Sequence, residues 1–501
     1  MIRVSGRLRT LLSSPKFFWF ALALSMLGAV LLAVTSMYPM AFDEDFHLGI
    51  IRLYAEVWSP FALMQTPDAA VFGSVVTDPS YLFHYLLSFP YRALEALGAS
   101  ETTIAITLRL LSVACFAASI VLFRRVLLRA GLSPMLTHSA LVFALLIPVS
   151  GMTAAQINYD NVIMVVTAAS LLLVLRIREG LLAGKLALTP LAWLAILQLL
   201  AAIVKYAYLP IAAGLVLYLV ILLVRHARKQ DIWRKAWQTL RQRSFVLQAA
   251  LGILLVASLL LFAQRYVGNM ATYHDIVPDC GAVLTVDECN QYSVWRRDTA
   301  LHAALTPEVT ANLKSFPHYV ATDWLWGMQE RTFFAVSGPT LDHQTRSGLR
   351  PLKVVMITVA GVGLLAFIIF ARQLLRRYPA LWLFATVTVV YVIVLIVQQY
   401  SMYRYTGAPV AINGRYLLPL LPLFGGLAAL GLAELLRRLR WTAAAPLLIT
   451  IVLLGCALQG GGVMTYIVQS SSDWYYAGWT RELMTDLRET AAPLIPGSWR
   501  Q

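Results

Sequence analysis

Charge is what this sequence has least of. Only 13% of its 501 residues are Asp, Glu, Lys or Arg, while 59% are hydrophobic. A soluble domain carries about 25% charged and about 45–50% apolar residues. Half the usual charge does not cover the surface of a water-soluble globule of this length, which excludes a soluble enzyme and a disordered chain. No fixed-period repeat and no low-complexity linker runs through the sequence, which excludes a fibrous repeat and leaves one integral-membrane domain over residues 1–501. Cysteine is scarce too: four residues, without the flanking histidines of a zinc site.

What is present is a series of long apolar runs. A membrane-crossing helix needs about 20 mostly apolar residues. Eleven runs qualify, roughly 17–40, 103–127, 134–154, 159–176, 187–205, 208–224, 246–266, 353–371, 379–399, 415–436 and 443–464. They predict an all-α polytopic bundle of about eleven transmembrane helices. The first run is longer than the 7–15 residues of a typical signal-peptide core, and Val34–Met40 offers no small-x-small cleavage site, so it reads as a retained anchor.

Basic residues resist translocation and therefore set the orientation. Arg3, Arg7, Arg9 and Lys16 precede the first run; Arg124, Arg125 and Arg129 follow the second; Arg176, Arg178 and Lys185 follow the fourth. Arg225, Arg228, Lys229, Arg234, Lys235, Arg241 and Arg243 follow the sixth, Arg372, Arg376 and Arg377 the eighth, and Arg437, Arg438 and Arg440 the tenth. The first of the opposite links holds Asp43, Glu44, Asp45, Glu56, Asp68 and Asp78. The pattern predicts a multi-pass protein of the plasma membrane with a cytoplasmic N-terminus and an external C-terminus. The net charge of +15 is mostly this bias rather than the mark of a nucleic-acid partner.

Two external segments exceed simple turns. Residues 41–102 contain an amphipathic stretch, Phe46–Trp58, with Phe46, Ile50, Leu53, Tyr54 and Val57 at helical spacing, and an aromatic-rich stretch, Tyr81–Leu97, suited to a helix in the interface. Residues 267–352 form the second, and 465–501 an external tail with Trp474, Tyr475, Tyr476 and Trp479. Cys280 and Cys289 lie nine positions apart in the 267–352 loop, where an oxidising exterior permits a disulfide; free thiols are the alternative. Cys115 and Cys456 fall inside apolar runs as packing residues.

Three features carry chemistry. Asp43-Glu44-Asp45-Phe46-His47 follows the first run directly, where hydrocarbon meets water. A carboxylate there is placed to accept a proton from a substrate hydroxyl; the bland reading is an N-cap for the helix that follows. Asp43, Glu44, Asp45 and His47 could ligate a divalent ion, though a metal-free site is favoured. Gln156-Ile-Asn158-Tyr-Asp160-Asn161 joins the third and fourth runs, and polar groups between two apolar helices either face a cavity or form a turn and cap. Lys205, Arg404 and Arg415 sit at external helix ends against the charge bias, suited to a phosphate or snorkelling to the interface.

The arrangement resembles the GT-C glycosyltransferases, nearest to their protein O-mannosyltransferase and aminoarabinose-transferase branch. That family places Asp-Glu in the first external loop, often followed closely by His and Gly; here Asp43-Glu44 precedes Asp45-Phe46-His47-Leu48-Gly49, one residue longer. Asp160 matches the family's second acid by position, and Asp78-Pro79-Ser80-Tyr81-Leu82-Phe83-His84-Tyr85 is similar to its His-Pro-Pro-x-x-Tyr stretch without the first His. Asn158-Tyr-Asp160 with Gly414-Arg-Tyr416 also resembles a bacterial branch of GT-C membrane proteins. The likeness covers residues 15–210 and 404–422; the 267–352 loop matches no standard accessory domain.

The resemblance implies inverting transfer of a sugar from a polyprenyl-phosphate donor to an external acceptor hydroxyl on a glycan, lipid or protein, without a cofactor. Asp43 would be the base, and Glu44 and Asp160 would orient acceptor or sugar. Lys205, Arg415 and Arg404 would meet the lipid phosphate, with His47, Asn158, Tyr416 and His84 as substrate contacts or supports. Two rivals stand beside it: a transporter or flippase for a lipid-linked sugar or small solute, and a non-catalytic envelope scaffold.

Overall fold

The computed structural model describes residues 2–40, 43–227, 232–241, 244–333 and 350–495. Arg228, Lys229 and Arg243 of the orientation pattern, and parts of the 267–352 loop and the 465–501 tail, lie outside them. Helices make up the architecture, with no strand among the described residues and one isolated bridge, Ser36 to Tyr475. Seven helices are long and apolar enough to cross a membrane: Pro15–Thr35, Glu101–Arg129, Asp160–Leu182, Tyr206–His226, Phe245–Tyr273, Leu381–Thr406 and Gly414–Arg438. Two further apolar runs are helix pairs bent by 73° and 78°, Pro134–Leu146 with Pro148–Ala154 and Val354–Ile369 with Ala371–Arg377. The last two runs are shorter helices, Leu188–Val204 and Ala445–Leu458.

The first bend has a local cause. Pro148 brings no N–H and disfavours helical geometry at Ile147, which is extended (φ −70°, ψ 124°). The outer face of the bundle is apolar: Phe20, Leu24, Leu27, Ile253, Val256 and Leu260 are exposed. Only 11% of the most apolar stretch of Phe245–Tyr273 is buried within the protein, a surface suited to lipid and not to water.

Two segments differ from the sequence expectation. The first apolar helix stops at Thr35 rather than continuing to Met40, because the chain turns extended at Ser36 and pairs with the C-terminal segment: Met37 N–H donates to the Trp474 carbonyl at 2.9 Å, and Tyr476 N–H to the Thr35 carbonyl at 2.9 Å. For the same reason residues 465–495 are no loose tail. Trp474 and Tyr475 are 1% exposed and belong to the core, while Trp479 stays at the surface. The amphipathic stretch is a helix over Glu44–Ala55, and the aromatic one a helix over Leu82–Ala96 packed against it.

Candidate functional site

Asp43, Glu44, Asp160, Lys205 and Arg415 converge at one end of the bundle, delivered by helix ends and breaks. Asp43 and Glu44 open the Glu44–Ala55 helix, and Asp160 opens Asp160–Leu182. Lys205 is the extended residue between Leu188–Val204 and the 3₁₀ turn Tyr206–Tyr208. Arg415 lies in the 3₁₀ helix Gly414–Leu420, where Asn413 Oδ1 accepts the Arg415 N–H at 3.1 Å. Each is placed where the helical ladder is incomplete, so backbone and side chain both turn toward the same space.

Three ion pairs result, each with a different exposure. Glu44 and Arg109 are fully buried: Arg109 Nε and Nη2 donate to the two carboxylate oxygens at 2.8 and 2.7 Å. Arg109 also donates to the carbonyls of Ala33, Ser36 and Met37, so all five of its donors are used. Glu44 in turn accepts the N–H of Met40 at 2.7 Å and of Ile157 at 3.0 Å. This carboxylate ties three chain segments together and has no oxygen left for a substrate or metal.

The second pair is Lys205 with Asp160, 2.5 Å apart and nearly buried. Asn158 Oδ1 accepts the Asp160 N–H at 2.8 Å, and the ammonium lies 4.4 Å from the Tyr159 ring centre and 5.3 Å from that of Tyr416. Asp160 Oδ2, Asn158 Nδ2, both Gln156 side-chain polar atoms and Asn161 Oδ1 are buried without a hydrogen-bond partner among the described residues. Such a concentration of unmet polar atoms is unusual in a folded interior.

The third pair is Asp43 with Arg415. The guanidinium is 7% exposed and the carboxylate 54% exposed. Asp43 occupies the N-cap position but makes no side-chain cap hydrogen bond, and its backbone is left-handed (φ 63°). The capping alternative therefore does not describe this carboxylate, which reaches across to Arg415 instead. A non-glycine residue held at positive φ stores local strain.

His47 and His84 support the site from behind. His84 Nδ1 lies 3.1 Å from the Ser80 carbonyl, which only accepts, so this nitrogen carries the hydrogen. His84 Nε2 is then bare and accepts from His47 Nδ1 at 2.9 Å. The His47 ring stands edge-on to Tyr159, with centroids 4.6 Å apart. Burial, then His84 and the cations Arg415 and Lys205, hold His47 well below the usual histidine range; burial pushes His84 down to about 3. Both rings are neutral at physiological pH.

Of the remaining candidates, Arg404 is exposed on the last turn of Leu381–Thr406 and pairs with no acid among the described residues. Tyr416 is partly buried and packs beside both cations. Cys280 and Cys289 are bridged, with Cα atoms 5.8 Å apart. No group of three or more His, Cys, Asp or Glu among the described residues is placed to hold a metal ion. Arg109 was missed, although an arginine set well inside the 103–127 apolar run, away from the Arg124-Arg125 end, is itself a signal that a buried partner exists. Tyr159, between two singled-out residues, was passed over.

An apolar cavity of about 920 Å³ adjoins this end. Leu417 and Thr332, next to the Arg415 turn, are among the residues that line it, with Phe143, Leu364, Ser133 and Thr442. No protein-family model matches this chain, and no curated protein matches it either.

Proposed function

We propose that this chain is an inverting GT-C-type glycosyltransferase that moves a sugar from a polyprenyl-phosphate donor to an acceptor hydroxyl on the external face of the membrane. The observation that carries the reading is the Asp43–Arg415 pair: an accessible carboxylate against a buried guanidinium, beside a second buried cation, on a turn whose Leu417 lines an apolar cavity. A lipid phosphate has this chemistry, a charged head that suits Arg and Lys and an apolar tail that suits the cavity.

The steps follow from the pairing. The donor phosphate competes with Asp43 for Arg415 and with Asp160 for Lys205, which releases the Asp43 carboxylate. The acceptor oxygen attacks the anomeric carbon as its proton passes to Asp43. The bond from that carbon to the phosphate oxygen breaks, and its electron pair leaves on the lipid phosphate. Lys205 and Arg415 stabilise the charge that develops there, so no divalent ion is required. Asp160 and Asn158 orient the sugar, Tyr416 packs beside it, and Glu44 acts through position, fixing the turn that presents Asp43. His47 and His84 form the wall behind Tyr159, and Arg404 is the peripheral member of the set. The reading takes the eleven apolar runs as spans, with the N-terminus cytoplasmic and the site external.

The test is transfer of labelled sugar from a panel of polyprenyl-phosphate sugars by the purified protein in lipid, comparing wild type with Asp43→Asn. Transfer, or slow donor hydrolysis, that disappears in the variant while donor binding persists is the expected result. Absence of donor binding to the wild type would overturn it and favour transport.

A further inference from the structure

The disulfide-bearing segment has no part in the scheme above, yet it reaches the site. Its two short helices, Cys280–Val283 and Val286–Cys289, are joined by the Cys280–Cys289 bridge, and Cys289 is fully buried. Tyr292 follows one turn later, its N–H donating to the Cys289 carbonyl at 3.0 Å. On the far side Trp295 Nε1 donates to Asp279 Oδ2 at 3.1 Å, which closes the segment on itself. Tyr292 therefore leaves a frame pinned on both sides.

The ring that this frame delivers lies against Phe46, with centroids 6.0 Å apart and planes inclined by 31°. A Cβ added to Gly73 would come within 3.0 Å of the same ring, so the backbone there is pressed onto it. Phe46 is carried by the Glu44–Ala55 helix that Asp43 immediately precedes, and the Asp43 carboxylate is close enough to act on the Tyr292 hydroxyl. Tyr292 thus stands beside the one accessible carboxylate of the three ion pairs. Burial, then the carboxylates of Asp78 and Asp43, raise its hydroxyl above the ordinary tyrosine range.

We propose that this segment is a wall of the sugar site: Tyr292, backed by Phe46, packs its ring on the sugar of the lipid-linked donor, and the Cys280–Cys289 bridge holds it in place. The inference rests on the transferase reading and names the residue that distinguishes a sugar-bearing donor from the bare lipid phosphate. A sugar presents an apolar C–H face between polar edges, which suits an amphipathic aromatic ring, while the phosphate meets Arg415 and Lys205 and is indifferent to Tyr292.

The experiment measures binding of two ligands to the full-length protein in bilayers: the member of the polyprenyl-phosphate sugar panel that wild type binds, and the same polyprenyl phosphate without a sugar. Tyr292→Ala is expected to weaken the sugar-bearing lipid about tenfold and leave the bare lipid unchanged, with Tyr292→Phe close to wild type. The Cys280→Ser, Cys289→Ser pair is expected to give a similar loss, with no further loss when Tyr292→Ala is added, since both act through one ring. Equal losses for both lipids, or no loss in Tyr292→Ala, would overturn the proposal, and that single substitution remains decisive if the disulfide variant does not fold. Full additivity would overturn the role of the bridge. Wild type that binds neither lipid would sink the transferase reading itself, whereas binding of both that ignores Tyr292 removes only the wall.

Discussion

At the scale of single residues, the three acids following the first apolar helix have separate fates. Asp45 is exposed, Glu44 is spent on Arg109 and two backbone N–H groups, and Asp43 faces outward against Arg415. Replacing Arg109 by Met leaves Glu44 as an uncompensated buried charge, which costs about 3–5 kcal/mol. Arg109→Lys should rescue only in part, because a lysine has three donors where five are used. Unfolding followed by tryptophan fluorescence in mild detergent measures both. The histidine pair gives a pH signature. His84 is neutral when folded, with its ordinary value near 6.5 lowered to about 3, so below pH 6.5 the unfolded chain binds the proton and the folded chain does not. Its contribution to stability is therefore lost as pH falls from about 6.5 toward 3, amounting to about 2 kcal/mol between pH 7 and 5. His84→Gln keeps an amide donor for Ser80 and an acceptor for His47, and should flatten that slope relative to wild type.

At the scale of elements, what places Arg415 is the approach of the Gly414–Leu420 turn to the helix Leu325–Phe333. A Cβ on Gly414 would meet the Thr332 nitrogen at 2.2 Å, backbone against backbone, so Gly414→Ala must displace the turn. Donor affinity is expected to fall about tenfold or more, whereas Gly455→Ala, with nothing within 4 Å of the added carbon, should leave it unchanged. The elements themselves were largely legible in the sequence, because length and apolarity suffice to mark a helix that faces lipid. The two amphipathic stretches were legible for the same reason, through the spacing of Phe46, Ile50 and Tyr54. The ends were not. The stop at Thr35 depends on pairing with Tyr475, more than four hundred residues away, and no local pattern carries that. In the site, the acids and cations stood out because charge is rare here, and Lys205, Asp160, Asp43 and Arg415 do come together. Which acid meets which cation was hidden, since pairing is a property of packing. Arg109 was masked by the apolar run around it.

At the scale of the whole molecule, the described residues combine an apolar exterior, a buried polar cluster and an apolar cavity lined by Leu417 beside the Arg415 turn. Both cations are paired with carboxylates, so under the proposed reading a lipid phosphate competes with a carboxylate for its cation. That competition gives opposite signs for the two partners of one pair. The most direct measurement is the affinity of the purified protein in bilayers for polyprenyl phosphate, in wild type, Asp43→Asn and Arg415→Gln. Asp43→Asn is expected to bind as tightly as wild type or several-fold more tightly, having lost the competitor, and Arg415→Gln at least tenfold more weakly. Equal affinity in all three proteins, or weaker binding in Asp43→Asn than in Arg415→Gln, would contradict a phosphate seated between these groups.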